Sequence, residues 1–320
     1  LPPSLTPGKF LSAIQACRKD TFFSTFGPGN LLHATDRPFE RFRDYEDLLQ
    51  LLHSRNPQKY EQVHKGTPFF FLAWLAFDLR NYEKALYYLD AAISEDVRNA
   101  GANWTDRPGA LFLRLTTDPH VAERVIRQIR QLLSVHIDRF NVISGLAPLS
   151  IDVFIDRFVV RLMQTASTRT VISALYVFLL EAAERLIELR LKSIQGGSLG
   201  PVIAHLFSAG LVFESLLKYL YPTKNNGDPV KTLGQVFQTN AFISDFGTGI
   251  QTSADSLQDI LDAATDNSLL TAFCTASKLR NTTGHNLVWD NIFHLSSNYE
   301  VLVDQSLNAL LYLIERKFIR

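Results

Sequence analysis

The sequence predicts an all-α protein: a repeat-like helical N-terminal domain followed by an up-and-down helical bundle. Apolar residues recur at spacings of three and four along most of the chain, and strand-like alternation of Val, Ile or Thr with polar residues is rare. The breaks between periodic stretches carry the Pro, Gly and Asn that stop helices. Composition agrees, with 46% hydrophobic and 20% charged residues in a chain of 320. That balance buries a sizeable core and excludes disordered and collagen-like classes, and the length suits two domains.

The elements follow in order. Residues 1–35 hold several Pro and Gly and read as an irregular lead-in with one short helix over 10–18. A helix over 44–53 is stopped by Asn56-Pro57. Thr67-Pro68 offers an N-cap and a first-turn proline for an apolar helix over 69–79. Arg80-Asn81 then turns the chain into a second helix over 82–93. Ala85 and Ala92 are small where two helices must approach, and Tyr82 places an aromatic at the turn. This pair resembles a tetratricopeptide unit. One copy is legible, so the region is repeat-like and not an array.

Further helices are expected over 119–139, 150–165 and 170–194. Gln195-Gly196-Gly197-Ser198-Leu199-Gly200-Pro201 cannot continue a helix, so the domain boundary is expected there, giving 1–195 and 196–320. The second domain reads as helices over 201–221, 231–243, 255–265, 268–283 and 298–318, with a loop over 222–229. The first and last are long and apolar on one face, as a bundle requires.

Charge and cysteine usage narrow the functional classes. Lys plus Arg equals Asp plus Glu at 32 each, so no global field favours nucleic acid or acidic membranes. Cys17 and Cys274 lie far apart without Cys or His neighbours, which excludes a disulfide framework and fits a reducing compartment. No histidine has ligand-like partners at helical spacing, His53 and His64 included, so neither metal nor cofactor is expected. The opening Leu-Pro-Pro-Ser lacks the charged region of a secretory leader. The longest apolar run, over 171–180, is about half of a bilayer span. A cytoplasmic location without membrane contact is expected.

The segment Ala276-Ser277-Lys278-Leu279-Arg280-Asn281-Thr282-Thr283-Gly284-His285-Asn286 stands apart, with polar or small residues in a row after Leu279. Acid–base chemistry at an anionic group without a metal needs a base near pH 7 and a fixed cation. His285 is of the one type whose ordinary pKa lies there, and Arg280 brings a permanent, planar charge matched to phosphate oxygens. Asn281 could orient either partner. Five positions apart on a helix diverge by ~140°, so a break at Gly284 would be needed to bring His285 back.

Arg280-Asn281, then His285, behind an amphipathic helix and ahead of a long closing helix resembles the HEPN domain, over roughly 201–320. The resemblance implies a metal-independent endoribonuclease of toxin or defence type. Arg280, His285 and Asn281 would be its site, RNA its substrate, and a homodimer through the C-terminal bundle its working form. The N-terminal helices would then sense a signal or bind a protein partner. A non-catalytic HEPN surface, or a plain helix C-terminus with a cation in its last turn and a glycine beyond, are the competing readings.

Other residues carry less. Glu214 stands among apolar neighbours and either faces the same cleft or pairs with Lys218 at i, i+4. His294 is expected to be packed or exposed. Gly247-Thr248-Gly249 lacks the context of a phosphate loop. Asn103-Trp104-Thr105 matters only in a secreted protein. Residues 196–320 hold 8 Lys plus Arg against 11 Asp plus Glu, an awkward −3 for a nuclease. Arg114, Arg124, Arg127, Arg130 and Arg139 are either compensating RNA contacts or a solvated face.

Overall fold

The computed structural model of the chain describes residues 38–116, 123–191, 197–284 and 292–320. Among these residues there is no strand, only an isolated antiparallel bridge between Thr223 and Pro229. The protein is all-α. The helix expected over 10–18, Cys17, His285 and Asn286 lie outside the described residues.

Two compact units divide between Arg127 and Gln128. The first contains α1 (Pro38–Arg55), α2 (Pro57–Gln62), α3 (Gly66–Asp78), α4 (Tyr82–Ala100) and α5 (Pro108–Leu113). Asn56 ends one helix and starts the next: its Oδ1 accepts the Lys59 N–H at 3.1 Å with Pro57 in the first turn. α3 begins at Gly66, three residues before the helix expected over 69–79; Lys65 and not Thr67 holds the N-cap position, and no side chain caps it. Arg80 adopts a left-handed φ of 56° at the turn, and Asn81 Oδ1 caps α4 through the Lys84 N–H at 3.2 Å. Ala85, Ala92 and Tyr82 are buried where α3 and α4 pack together.

The second unit begins within α6 (Glu123–Ser144). It continues through α7 (151–162), which widens into a π turn at Ile155–Val159, and α8 (Ala166–Leu191). Then come α9 (Gly200–Leu220), α10 (Leu233–Phe237), α11 (Asn240–Phe246) and α12 (Leu257–Ala263). α13 (Leu269–Thr283) and α14 (Ser296–Ile314) complete it. The single helix expected over 231–243 is two, because Thr239 interrupts it. Its hydroxyl donates back to Val236 O at 2.8 Å and accepts the Phe242 N–H at 3.2 Å, capping α11.

α8, α9, α13 and α14 form a four-helix core, in which α9 and α14 each pack on all three others and α8 and α13 on two. The domain boundary expected at 195/196 is therefore corrected. α8, assigned upstream of it, is one wall of the bundle, and the glycine-rich stretch connects two packed helices. The reason is visible at His205 on α9. It stacks on Phe178 of α8 with ring centres 4.4 Å apart and donates from Nε2 to Phe178 O at 2.9 Å. Its Nδ1 accepts from the Tyr299 hydroxyl of α14 at 2.9 Å. Burial holds this imidazole down to about 4, so it is neutral at pH 7. α9 is long and apolar enough to cross a bilayer, yet most of it is buried in the bundle, as befits a core helix.

Candidate functional site

α13 presents its C-terminal turn against the middle of α9, and Gly210 makes the approach possible. A Cβ on Gly210 would sit 2.7 Å from the Arg280 Cα, so the two backbones are nearly in contact. Arg280 is thereby set beside Glu214, one turn further along α9. Arg280 Nε donates to Glu214 Oε2 at 2.5 Å, and Lys218 Nζ lies 2.6 Å from Glu214 Oε1. Glu214 pairs with Lys218 at i, i+4, as its spacing suggested, and also meets Arg280.

Asn281 completes the cluster. Its Oδ1 accepts from Arg280 Nη1 at 3.1 Å, and its Nδ2 donates to Thr252 O at 2.6 Å. Thr282 Oγ1 reaches Ala254 O at 3.4 Å, so the segment after α11 is strapped along this end of α13. The outcome is a carboxylate sealed under two cations: Glu214 is 6% exposed, Arg280 32% and Lys218 33%. Neither of these two bonds uses Nη2 of Arg280.

The polar run after Leu279 does not simply face water. Thr282 and Thr283 are buried, and the Thr283 hydroxyl donates to Leu279 O at 2.5 Å. Gly284 keeps a right-handed φ of −70° and is not a left-handed cap. Glycine is needed there for space, since a Cβ would lie 2.8 Å from the Phe207 ring. Arg280 and Asn281 are thus brought together. His285, the third member, lies outside the described residues.

The remaining candidates are placed as follows. His294 is exposed at the end of a short turn, Ile292–His294. His53 packs edge-on against Tyr60. His64 has a partner that spacing could not show: its Nε2 lies 3.0 Å from Asp96 Oδ1, 32 residues away. Among the described residues no group of three or more His, Cys, Asp or Glu could hold a metal ion. Gly247 and Gly249 take left-handed φ values of 83° and 96° in the turn after α11.

The arginine group is largely neutralised. Arg124 meets Asp78 at 3.4 Å, Arg127 meets Glu123 at 3.2 Å, Arg130 meets Asp152 at 2.9 Å and Arg139 meets Asp304 at 3.3 Å. This is the pattern of a solvated helix face. The structural unit 128–320 holds 16 Lys plus Arg against 17 Asp plus Glu, so its net charge is −1, milder than the −3 of the expected domain.

Compared with known protein families, characterised proteins and solved structures, the chain matches none of them.

Proposed function

We propose that the protein is a metal-independent endoribonuclease of the HEPN type, working in the cytoplasm as a homodimer through its C-terminal bundle. One observation supports this most. Arg280 is fixed by a buried carboxylate and by Asn281 at the edge of a helical bundle, with about a third of its side chain exposed. A cation whose position is set before substrate arrives stabilises a phosphorane without reorganising.

In this reading His285 takes the proton of a ribose 2′-hydroxyl, and that oxygen attacks the adjacent phosphorus. Arg280 holds the charge on the non-bridging oxygens. The bond to the 5′-oxygen breaks, and that oxygen leaves with a proton returned by imidazolium. The products are a 2′,3′-cyclic phosphate and a 5′-hydroxyl end. Asn281 and Glu214 position the guanidinium.

The test uses wild type, His285→Ala and Arg280→Ala on mixed RNA in EDTA. Cleavage by wild type alone is expected. Equal cleavage by all three, or a requirement for added metal, ends the proposal.

A second reading rests on the same contacts. Glu214 already neutralises one cation, and the unit is close to charge balance, as in a protein that binds other proteins without chemistry. RNA left intact by wild type, with a partner retained by the helices of the first unit, would favour it.

A further inference from the structure

A second site is visible at the other end of α13, away from Arg280. The end of α6, the end of α11, the start of α13 and the end of α14 enclose a cavity of about 500 Å³. That volume falls within the usual range of small-molecule sites, roughly 300–1,000 Å³. Its wall is divided. Ile143, Leu146, Phe246 and Leu269 make one part apolar, while Asp245, Glu315, Arg316 and Arg320 make the other charged.

The charges are not equivalent. Glu315 is 3% exposed and accepts from Arg320 Nε at 2.5 Å. Asp245 Oδ2 accepts from Lys317 Nζ at 2.7 Å and from the Tyr221 hydroxyl at 2.6 Å. Burial alone would raise the Asp245 carboxyl, but those two hydrogen bonds outweigh it and hold the group below its usual value. Both carboxylates are therefore matched by a cation. Arg316 is the exception: it lines the cavity, is exposed at the rim, and among the described residues has no carboxylate within ion-pair distance. The N-terminal turn of α13 opens on the same space at Ser268 and Leu269 and adds to the positive side. Arg316 acts on Asp245 only through space, and with Lys317 three cations stand against two carboxylates; this surplus positive charge facing an apolar wall selects an anion with an apolar body.

We infer that this cavity binds a small organic anion, a phosphate or carboxylate carried on an apolar ring, with the anionic group on Arg316 and the ring against Leu146, Phe246 and Leu269. The site is independent of the ribonuclease reading and is tested without RNA.

The experiment is calorimetric titration of the full chain with four probes: AMP, 4-phenylbutyrate, adenosine and inorganic phosphate. Saturable binding of AMP or 4-phenylbutyrate is expected, and which of the two binds separates a phosphate from a carboxylate source. Arg316→Ala should weaken that binding about tenfold or more, since it removes a charge-assisted bond. Leu146→Glu, which puts a carboxylate on the apolar wall, should abolish it, and Arg124→Ala in the first unit should leave it unchanged. The inference is overturned if neither anion binds, or if adenosine or inorganic phosphate binds as tightly as the anion carrying a body. Full affinity in Arg316→Ala, or equal loss in Arg124→Ala, overturns it as well.

Discussion

Both units hold a carboxylate between two cations, and they do so to different ends. In the first, the N–H of Lys65 donates to Glu95 Oε2 at 3.0 Å, and its ammonium lies 3.1 Å from Glu95 Oε1. The same ammonium donates to Tyr60 O at 2.7 Å and Val63 O at 2.9 Å, and lies over the Tyr60 ring. Arg98 takes the other side of Glu95 at 2.7 Å. Beside it, His64 pairs with Asp96, and Gly66 admits the close approach. Lys65 is 2% exposed, while Arg98 keeps 42% of its side chain in solvent. At the end of the bundle, Glu214 is more deeply buried than Glu95, 6% against 13%, and Arg280 and Lys218 each keep about a third of their side chains in solvent. The first network has one sealed cation that fastens α2, α3 and α4; in the second both cations are part-exposed over a sealed carboxylate.

The sharpest break of this comparison is Lys65→Ala against Arg280→Ala. The first leaves Glu95 with Arg98 but takes the buried ammonium from Tyr60 O and Val63 O as well, and should cost about 3 kcal/mol in a denaturant titration. The second leaves Glu214 with Lys218 and should cost about 1 kcal/mol or less while removing RNA cleavage. Equal stability losses would show that the two networks do the same work.

Next is the pair of glycines. A Cβ at Gly210 meets the Arg280 backbone, which cannot yield, while at Gly66 it meets the side-chain ends of Asp96, at 2.7 Å, and His64, at 2.8 Å. Gly210→Ala should therefore cost about 2–3 kcal/mol and Gly66→Ala less, by thermal melts of both variants.

A pH titration of stability follows. His205 has its pKa drawn below the ordinary 6.5 to about 4 by burial, so between those values the unfolded chain binds more protons than the folded one. Stability at neutral pH is fully present above 6.5 and declines as pH falls toward 4, by about 2 kcal/mol from pH 6.5 to 5. His205→Asn should flatten that slope; an unchanged slope would assign it elsewhere.

The smallest effect is Ser277→Ala on α13. The Ser277 hydroxyl is buried and, among the described residues, has no hydrogen-bond partner. Its removal should raise stability by up to about 1 kcal/mol, with cleavage unaltered.

Local features were legible. Pro positions and apolar spacing placed most helix starts within a few residues, because they act within their own turn, whereas the N-cap read at Thr67 did not form. The α3–α4 pair followed from apolar spacing and two alanines. The Glu214–Lys218 pair was readable because i and i+4 share a helix face. Thr239 was the exception, a cap inside a continuous apolar pattern that reads as one helix.

What the sequence determined by itself, then, is the all-α class, the run of helices and the presence of Arg280-Asn281 at the close of one of them. Each depends on interactions within a few residues. Only the tertiary structure decided that α8 belongs to the bundle, that Glu214 meets Arg280 across 66 residues, and that His205 joins Phe178 to Tyr299. Those pairings depend on how helices rotate and approach, which is set by the joint packing of their apolar faces and by glycines that permit contact. No single stretch of chain carries that information.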